Sequence, residues 1–215
     1  MNSRFHLWSA LGLLAASFVA SAIVYGRLPE RIPIHWNFRG EVDGYGERWT
    51  IFLMPLLMLL MIGVIYILPW ASLRTEDIDV NRPVYGRLML ILVALFGFIH
   101  VMVLYGAFGG DSPSRLIIAG MCVFLGLIAN LLGKVDRNCL IGVRTPWTIA
   151  SERVWIETHR LAAWMGVAAA ALGFVVALLP FAPPWIALVV VLAGFIYPAI
   201  HSFIAFRRYA REGLL

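Results

Sequence analysis

Charge is scarce in this 215-residue sequence: Asp, Glu, Lys and Arg make up 13% of it, against about a quarter in a typical soluble domain, while 61% is hydrophobic. That balance excludes an ordinary soluble domain. Cysteine is nearly absent, with Cys122 in an apolar run and Cys139 in a loop, so no disulfide framework is expected. Lysine occurs once, at Lys134, and the 16 arginines are scattered among loop ends without a basic tract. The net charge of +5 is therefore no footprint for nucleic acid, and no direct nucleic-acid partner is expected. Catalytic signatures are missing as well: there is no HExxH, no G-x-S-x-G elbow and no carboxylate pair inside an apolar run. One histidine with scattered carboxylates falls short of zinc-ligand spacing, so neither metal, cofactor nor catalytic residue is assigned.

What the sequence does have is long uncharged runs. Five stretches carry no Asp, Glu, Lys or Arg: Leu7–Gly26, Trp49–Leu73, Leu88–Gly110, Leu116–Gly133 and Leu161–Phe206. A bilayer-spanning helix needs about 20 apolar residues, so the first four hold one span each. The last holds two, because Pro180, Pro183 and Pro184 interrupt it, giving a fifth helix over about Leu161–Leu179 and a sixth over about Trp185–Phe206. The fold class is thus an all-α integral membrane protein, a six-helix bundle with a small extended outer loop and a cytoplasmic amphipathic segment. Three regions follow: 1–70 with two helices and outer loop 27–50, 71–115 with the third helix and its flanking loops, and 116–215 with helices four to six and inner loop 133–160. Trp8, Trp49, Trp70 and Trp185 at run ends fit interfacial anchors. Gly12/Ala16/Ala20 in the first helix, and Gly166/Ala170 with Ala169/Gly173 in the fifth, are candidate packing seams.

Orientation follows from the loops. Twelve basic residues fall on the side of the two termini and five on the other, so both ends of this multi-pass chain are expected in the cytoplasm. Cleavage at Ala20-Ser21-Ala22 is a second reading of the first run, opposed by its continuing apolar through Tyr25.

In the outer loop Ile32, Ile34, Trp36 and Phe38 alternate with Pro33, His35, Asn37 and Arg39, a period-two pattern that predicts an extended segment. Gly40, Gly44 and Gly46 turn the chain back, with Asp43-Gly44 as a turn pair. Two readings stand for His35, Asn37 and Asp43: convergence on an extracytoplasmic ligand, or satisfaction of loop backbone groups.

The inner loop mixes aromatics, arginine and small polar residues. Thr145-Pro146 fits a helix N-cap followed by proline at the first position, and Ser151 before Glu152 offers a second start. On one continuous helix Trp147, Ser151, Trp155 and His159 form a stripe, with Arg153 and Glu157 paired elsewhere on it. Either this is an interfacial helix, or Asn138, Arg144, Thr148 and His159 cluster beneath the bundle near Asn130. Within the spans, His100 and His201 are ionisable, and Gly194, Tyr197, Pro198 and His201 share a face of helix six, where Pro198 leaves the Gly194 carbonyl without its donor.

These residues carry a resemblance. Asn130, Gly133-Lys134, Asn138, the run GVRTPWT from Gly142 to Thr148, Ser151, Val154-Trp155 and Thr158-His159 closely resemble the signature of SdpI-like membrane proteins, a bacterial toxin-immunity family. The outer pattern of Leu28, Pro29, Ile32, Pro33, His35, Asn37, Gly40, Asp43, Tyr45 and Gly46 is similar to a small domain of unknown function that often precedes it. Ala129 departs from a glycine common before the asparagine, and Ala162-Ala163 follow His159 where a glycine is frequent. The resemblance implies a multi-pass protein of the bacterial plasma membrane, without enzymatic activity, that resists or senses a secreted antimicrobial peptide outside and engages a cytoplasmic regulator inside. On that reading His35, Asn37, Asp43, Asn130, Asn138, Arg144, Thr145, Trp147, Thr148, Trp155 and His159 are the candidate ligand- or partner-binding residues. Helices four and five, which bracket the inner motif, are the expected moving pair. A small transporter or channel is the alternative, opposed by spans free of Asp, Glu, Lys and Arg and by the lack of internal repeats.

Overall fold

The computed structural model describes residues 3–37, 41–71, 75–110, 113–138 and 140–215. Among them are seven α-helices: α1 (Ser3–Val24), α2 (Leu53–Ala71), α3 (Thr75–Ala107), α4 (Ser114–Leu132), α5 (Pro146–Ala150), α6 (Glu152–Leu178) and α7 (Trp185–Arg211). A hairpin of β1 (Arg31–Trp36) and β2 (Val42–Glu47) sits between α1 and α2. All the helices but α5 are long and apolar enough to cross a membrane. The chain is an all-α membrane bundle. Large side chains such as Trp164, Phe181, Tyr66 and Ile67 stand on its outside, where lipid rather than water is the compatible solvent. Trp8, Trp49 and Trp185 are likewise exposed, while the side chain of Trp70 lies outside the described residues, as do Phe38, Arg39, Gly40 and Cys139.

Two helices begin earlier than the uncharged runs suggest. α3 starts at Thr75 rather than near Leu88, and at 33 residues it is about 50 Å long, well beyond the hydrocarbon core. α6 starts at Glu152 rather than near Leu161. Charges end an apolar run, but they do not end a helix that leaves the bilayer and continues against protein. Both extensions project on the face opposite the hairpin.

The bundle has two halves. α1, α2 and α3 enclose Ala10, Met58, Ile62, Met89 and Val93, and nearer the hairpin Leu28, Ile32, Ile51, Val103 and Ala107. α4, α6 and α7 pack through small residues around Ala119, Cys122, Ala177, Ala187 and Val191. A Cβ on Gly166 would lie 2.5 Å from the Ala129 Cβ, and one on Gly194 would lie 2.5 Å from the Ala169 Cβ. The expected seam on the fifth span is thus real and is filled from both sides, by Ala129 of α4 on one and Gly194 of α7 on the other. The seam proposed for the first helix is not used: Gly12 and Ala16 are exposed and nothing approaches Gly12. The halves meet along α3 and α4, and again around Val84, Leu131, Val135 and Trp155.

At the hairpin end Arg115 of α4 donates to the carbonyls of Ala177 (3.2 Å), Leu179 (2.6 Å) and Pro180 (3.0 Å). These are acceptors that a helix C-terminus leaves unmatched, so one guanidinium caps α6. Within the spans, His100 Nε2 meets Ser21 Oγ at 3.2 Å across α1 and α3. On α7, Gly194 and Pro198 are buried while Tyr197 is exposed, and His201 Nε2 lies 3.8 Å from Glu157 Oε1, so the expected four-residue face divides.

Candidate functional site

Two polar constructions stand at opposite ends of the bundle. The first is the hairpin. β1 and β2 pair antiparallel, with register shifts on either side of His35, so the strict alternation of the sequence is broken: Ile32 and Pro33 are both buried while Ile34 and His35 are both exposed. Asp43-Gly44 lies inside β2 and not at the turn. Asn37 makes the turn, its backbone N–H donating to the Glu41 carbonyl and its side chain exchanging hydrogen bonds with Glu41. Asp43 instead faces His35 across the strands, Oδ1 to Nδ1 at 2.5 Å, with both side chains largely open to solvent. Of the three outer candidates, His35 and Asp43 therefore come together and Asn37 does not join them. The glycines have steric reasons: a Cβ on Gly44 would lie 2.9 Å from that of His35, and one on Gly46 would meet the Thr50 hydroxyl at 2.7 Å.

The second construction is the loop between α4 and α5, beneath the bundle. Its turns are set by Asn138, whose side-chain oxygen accepts from the N–H groups of Leu140 (2.7 Å) and Ile141 (2.8 Å) while its amide donates to the Asp136 carbonyl at 2.8 Å. Gly142 follows at φ +118°, a conformation open to glycine, and a Cβ there would meet His159 Nε2 at 2.4 Å. Val143 then donates its N–H to His159 Nε2 at 3.0 Å, and His159 Nδ1 lies 2.8 Å from the Trp155 carbonyl. An acceptor at Nε2 and a donor at Nδ1 fix the neutral imidazole with its proton on Nδ1. The ring stacks on Trp155 at 4.0 Å, and the Trp155 indole N–H donates to the Val135 carbonyl at 2.8 Å. Trp155 and His159 are thus both spent holding loop backbone.

Thr145 and Thr148 close the loop as a reciprocal capping box on α5, and the buried Thr148 hydroxyl donates to the Val143 carbonyl at 2.8 Å. Thr145 Oγ1 also meets Ser202 of α7 at 3.0 Å. From the other half of the bundle, Asn81 of α3 accepts from the Asp136 N–H at 3.0 Å. One loop therefore ties α3, α4, α6 and α7 together.

The helix expected to carry Trp147, Ser151, Trp155 and His159 as one stripe is broken. Ser151 is extended (φ −134°, ψ 125°), so both predicted N-termini are used and two helices result. Trp147 consequently turns away from Trp155 and packs on Phe203 of α7, ring centres 4.9 Å apart. Arg144 and Asn130 are exposed and do not join Asn138, Thr148 and His159. Glu157 pairs with Arg208 at 2.5 Å and accepts from the Tyr209 hydroxyl at 2.7 Å, not from Arg153. Asn81, Ser202 and the Glu157–Arg208–Tyr209 group escaped the sequence reading. Only Asn81 offered a signal, an amide two residues before Pro83 in the charged stretch that precedes an apolar run.

Chemically, the side chains of Asn138, Thr148, Trp155 and His159 are spent on backbone groups. Each polar atom of Asn138, Trp155 and His159 described above is matched, and among the described residues no three His, Cys, Asp or Glu side chains gather to hold a metal. Its arrangement holds helices in register.

Comparison with known proteins gives the construction a lineage. A family model described as the SdpI/YfhL protein family matches residues 134–202, and one described as a domain of unknown function (DUF1648) matches residues 12–59. The chain is 31% identical over 170 residues to the immunity protein SdpI of Bacillus subtilis (strain 168), an alignment that covers 79% of this chain and 78% of that one. The chain belongs to the SdpI/YfhL protein family. No solved structure matches it. The family segment opens beside Val135 and closes at Ser202, so it contains each of these loop contacts except the one from Asn81. The segment of unknown function contains the hairpin and Ile51, the buried residue of the 3-10 turn that follows it.

Proposed function

We propose that this chain is a non-catalytic immunity or receptor protein of the plasma membrane, with both termini in the cytoplasm, that resists or senses a membrane-active peptide. The loop around His159 carries this reading. What supports it is that the His159 imidazole lies between two backbone groups and the hydroxyl of Thr148 is spent on a carbonyl, which suits holding helices together rather than acting as a base. The exposed His35–Asp43 pair, on a hairpin seated against α3, is the ligand-facing part outside, where a cationic or amphipathic peptide meets it. The loop at the other end is the part read by a cytoplasmic regulator, with Lys134, Asp136, Arg137 and Arg144 among its exposed groups and Asn130 exposed on the end of α4 beside it.

Expression in a host sensitive to a peptide secreted by the organism that carries this chain tests the reading. Survival rises with the wild-type chain and falls back with His35→Ala, at unchanged protein level, because His35 is exposed and supports no core. Absence of protection against every peptide of that organism would sink the proposal.

A further inference from the structure

Along the outer face of α7 two open clefts join end to end. The first, about 540 Å³, is apolar, walled by Trp147, Phe195, Ile196, Ile200, Phe203 and Ile204. The second, about 570 Å³, shares Phe203 and Ile204 and continues to Arg207, Arg208, Arg211 and Glu212. Arg208 is held by Glu157, but Arg207 and Arg211, one helical turn apart, make no ion pair with a described carboxylate. The Arg207 guanidinium stands over the Phe203 ring, 5.8 Å from its centre, at the point where the two clefts meet.

We propose that this continuous groove binds one anionic phospholipid, with an acyl chain along the apolar part and the phosphate between Arg207 and Arg211. The dimensions suit it. Ile196 to Ile204 spans about 12 Å of helix and Ile204 to Arg211 about 10 Å, which matches most of the hydrocarbon depth of one leaflet followed by a headgroup. Guanidinium groups at that depth favour a phosphodiester with net negative charge over a zwitterionic headgroup, whose ammonium they repel. The wall nearest Trp147 belongs to the family loop, since that indole packs on Phe203. An occupied groove therefore supports the contact of α5 with α7.

The purified full-length chain is titrated with dioleoyl phosphatidylglycerol, dioleoyl phosphatidylethanolamine or glycerol phosphate, and retained lipid is counted by native mass spectrometry. Phosphatidylglycerol binds at least about tenfold more tightly than phosphatidylethanolamine, and glycerol phosphate does not displace it. Arg207→Gln with Arg211→Gln abolishes that preference, the charge-matched pair Arg153→Gln with Arg160→Gln retains it, and Ala199→Trp, which fills the apolar cleft, weakens both lipids. Equal binding of the two lipids by the wild-type chain overturns the proposal. An undiminished preference in the Arg207/Arg211 variant, an equal loss in the control pair, or full competition by glycerol phosphate does the same.

Discussion

Gly142 shows how much a single position can fix. Its φ of +118° and the 2.4 Å gap between a would-be Cβ and His159 Nε2 leave no room for a side chain. Gly142→Ala combines backbone strain with overpacking, and a thermal or denaturant melt in detergent should read a loss of about 2–4 kcal/mol. Trp155→Phe isolates a different contribution. The ring can still stack on His159, but the Val135 carbonyl loses its donor in a buried place, at a cost of about 1–3 kcal/mol. A fully neutral result for that change would mean water replaces the indole N–H. Some of this was legible in advance. Thr145-Pro146 announces a capped helix start because the hydroxyl and the missing N–H are local devices. That His159 and Trp155 face loop backbone rather than a ligand was not, since the partners are carbonyl and amide groups brought from 16 and 20 residues away, and backbone leaves no mark in residue type.

Among elements, α4 and α6 stand out for their closeness, with Ala129 against Gly166 and Ala170 against Gly126. Gly166→Leu should force these helices apart and lower stability by about 1–3 kcal/mol or more, while Gly12→Leu on α1, where nothing lies within 4 Å, should leave the melt unchanged. Comparing the two melts separates a used seam from a decorative one. The spacing of small residues reads the same in both helices, so the difference was invisible until neighbours were placed. The hairpin teaches a related lesson. Alternation in the sequence was enough to predict an extended segment, but Asp43-Gly44 is a strand pair opposite His35, and the contact that closes the hairpin joins Asn37 to Glu41 instead. Turn residues mark a bend or a close approach equally well, because glycine serves both.

For the whole molecule, hydrophobic run lengths were sufficient to give six spans, since that count depends only on bilayer thickness. Helix ends beyond the bilayer were not, and those ends of α3 and α6 carry Asn81, Trp155 and His159. The two halves of the bundle meet along α3 and α4 and are tied at the far end by the Asn81–Asp136 contact. The joint between α3 and the α4–α6–α7 unit is therefore where an event at the hairpin, which rests on α3, can reach the loop. A ligand shifts such a joint only by its differential affinity for two arrangements. Hydrogen–deuterium exchange at the amides of Asp136, Leu140, Ile141 and Val143, with and without the secreted peptide bound outside, tests this coupling most directly. The account predicts that the peptide changes their protection and that His35→Ala abolishes the change. Exchange that stays the same at all four amides while the peptide remains bound would contradict it.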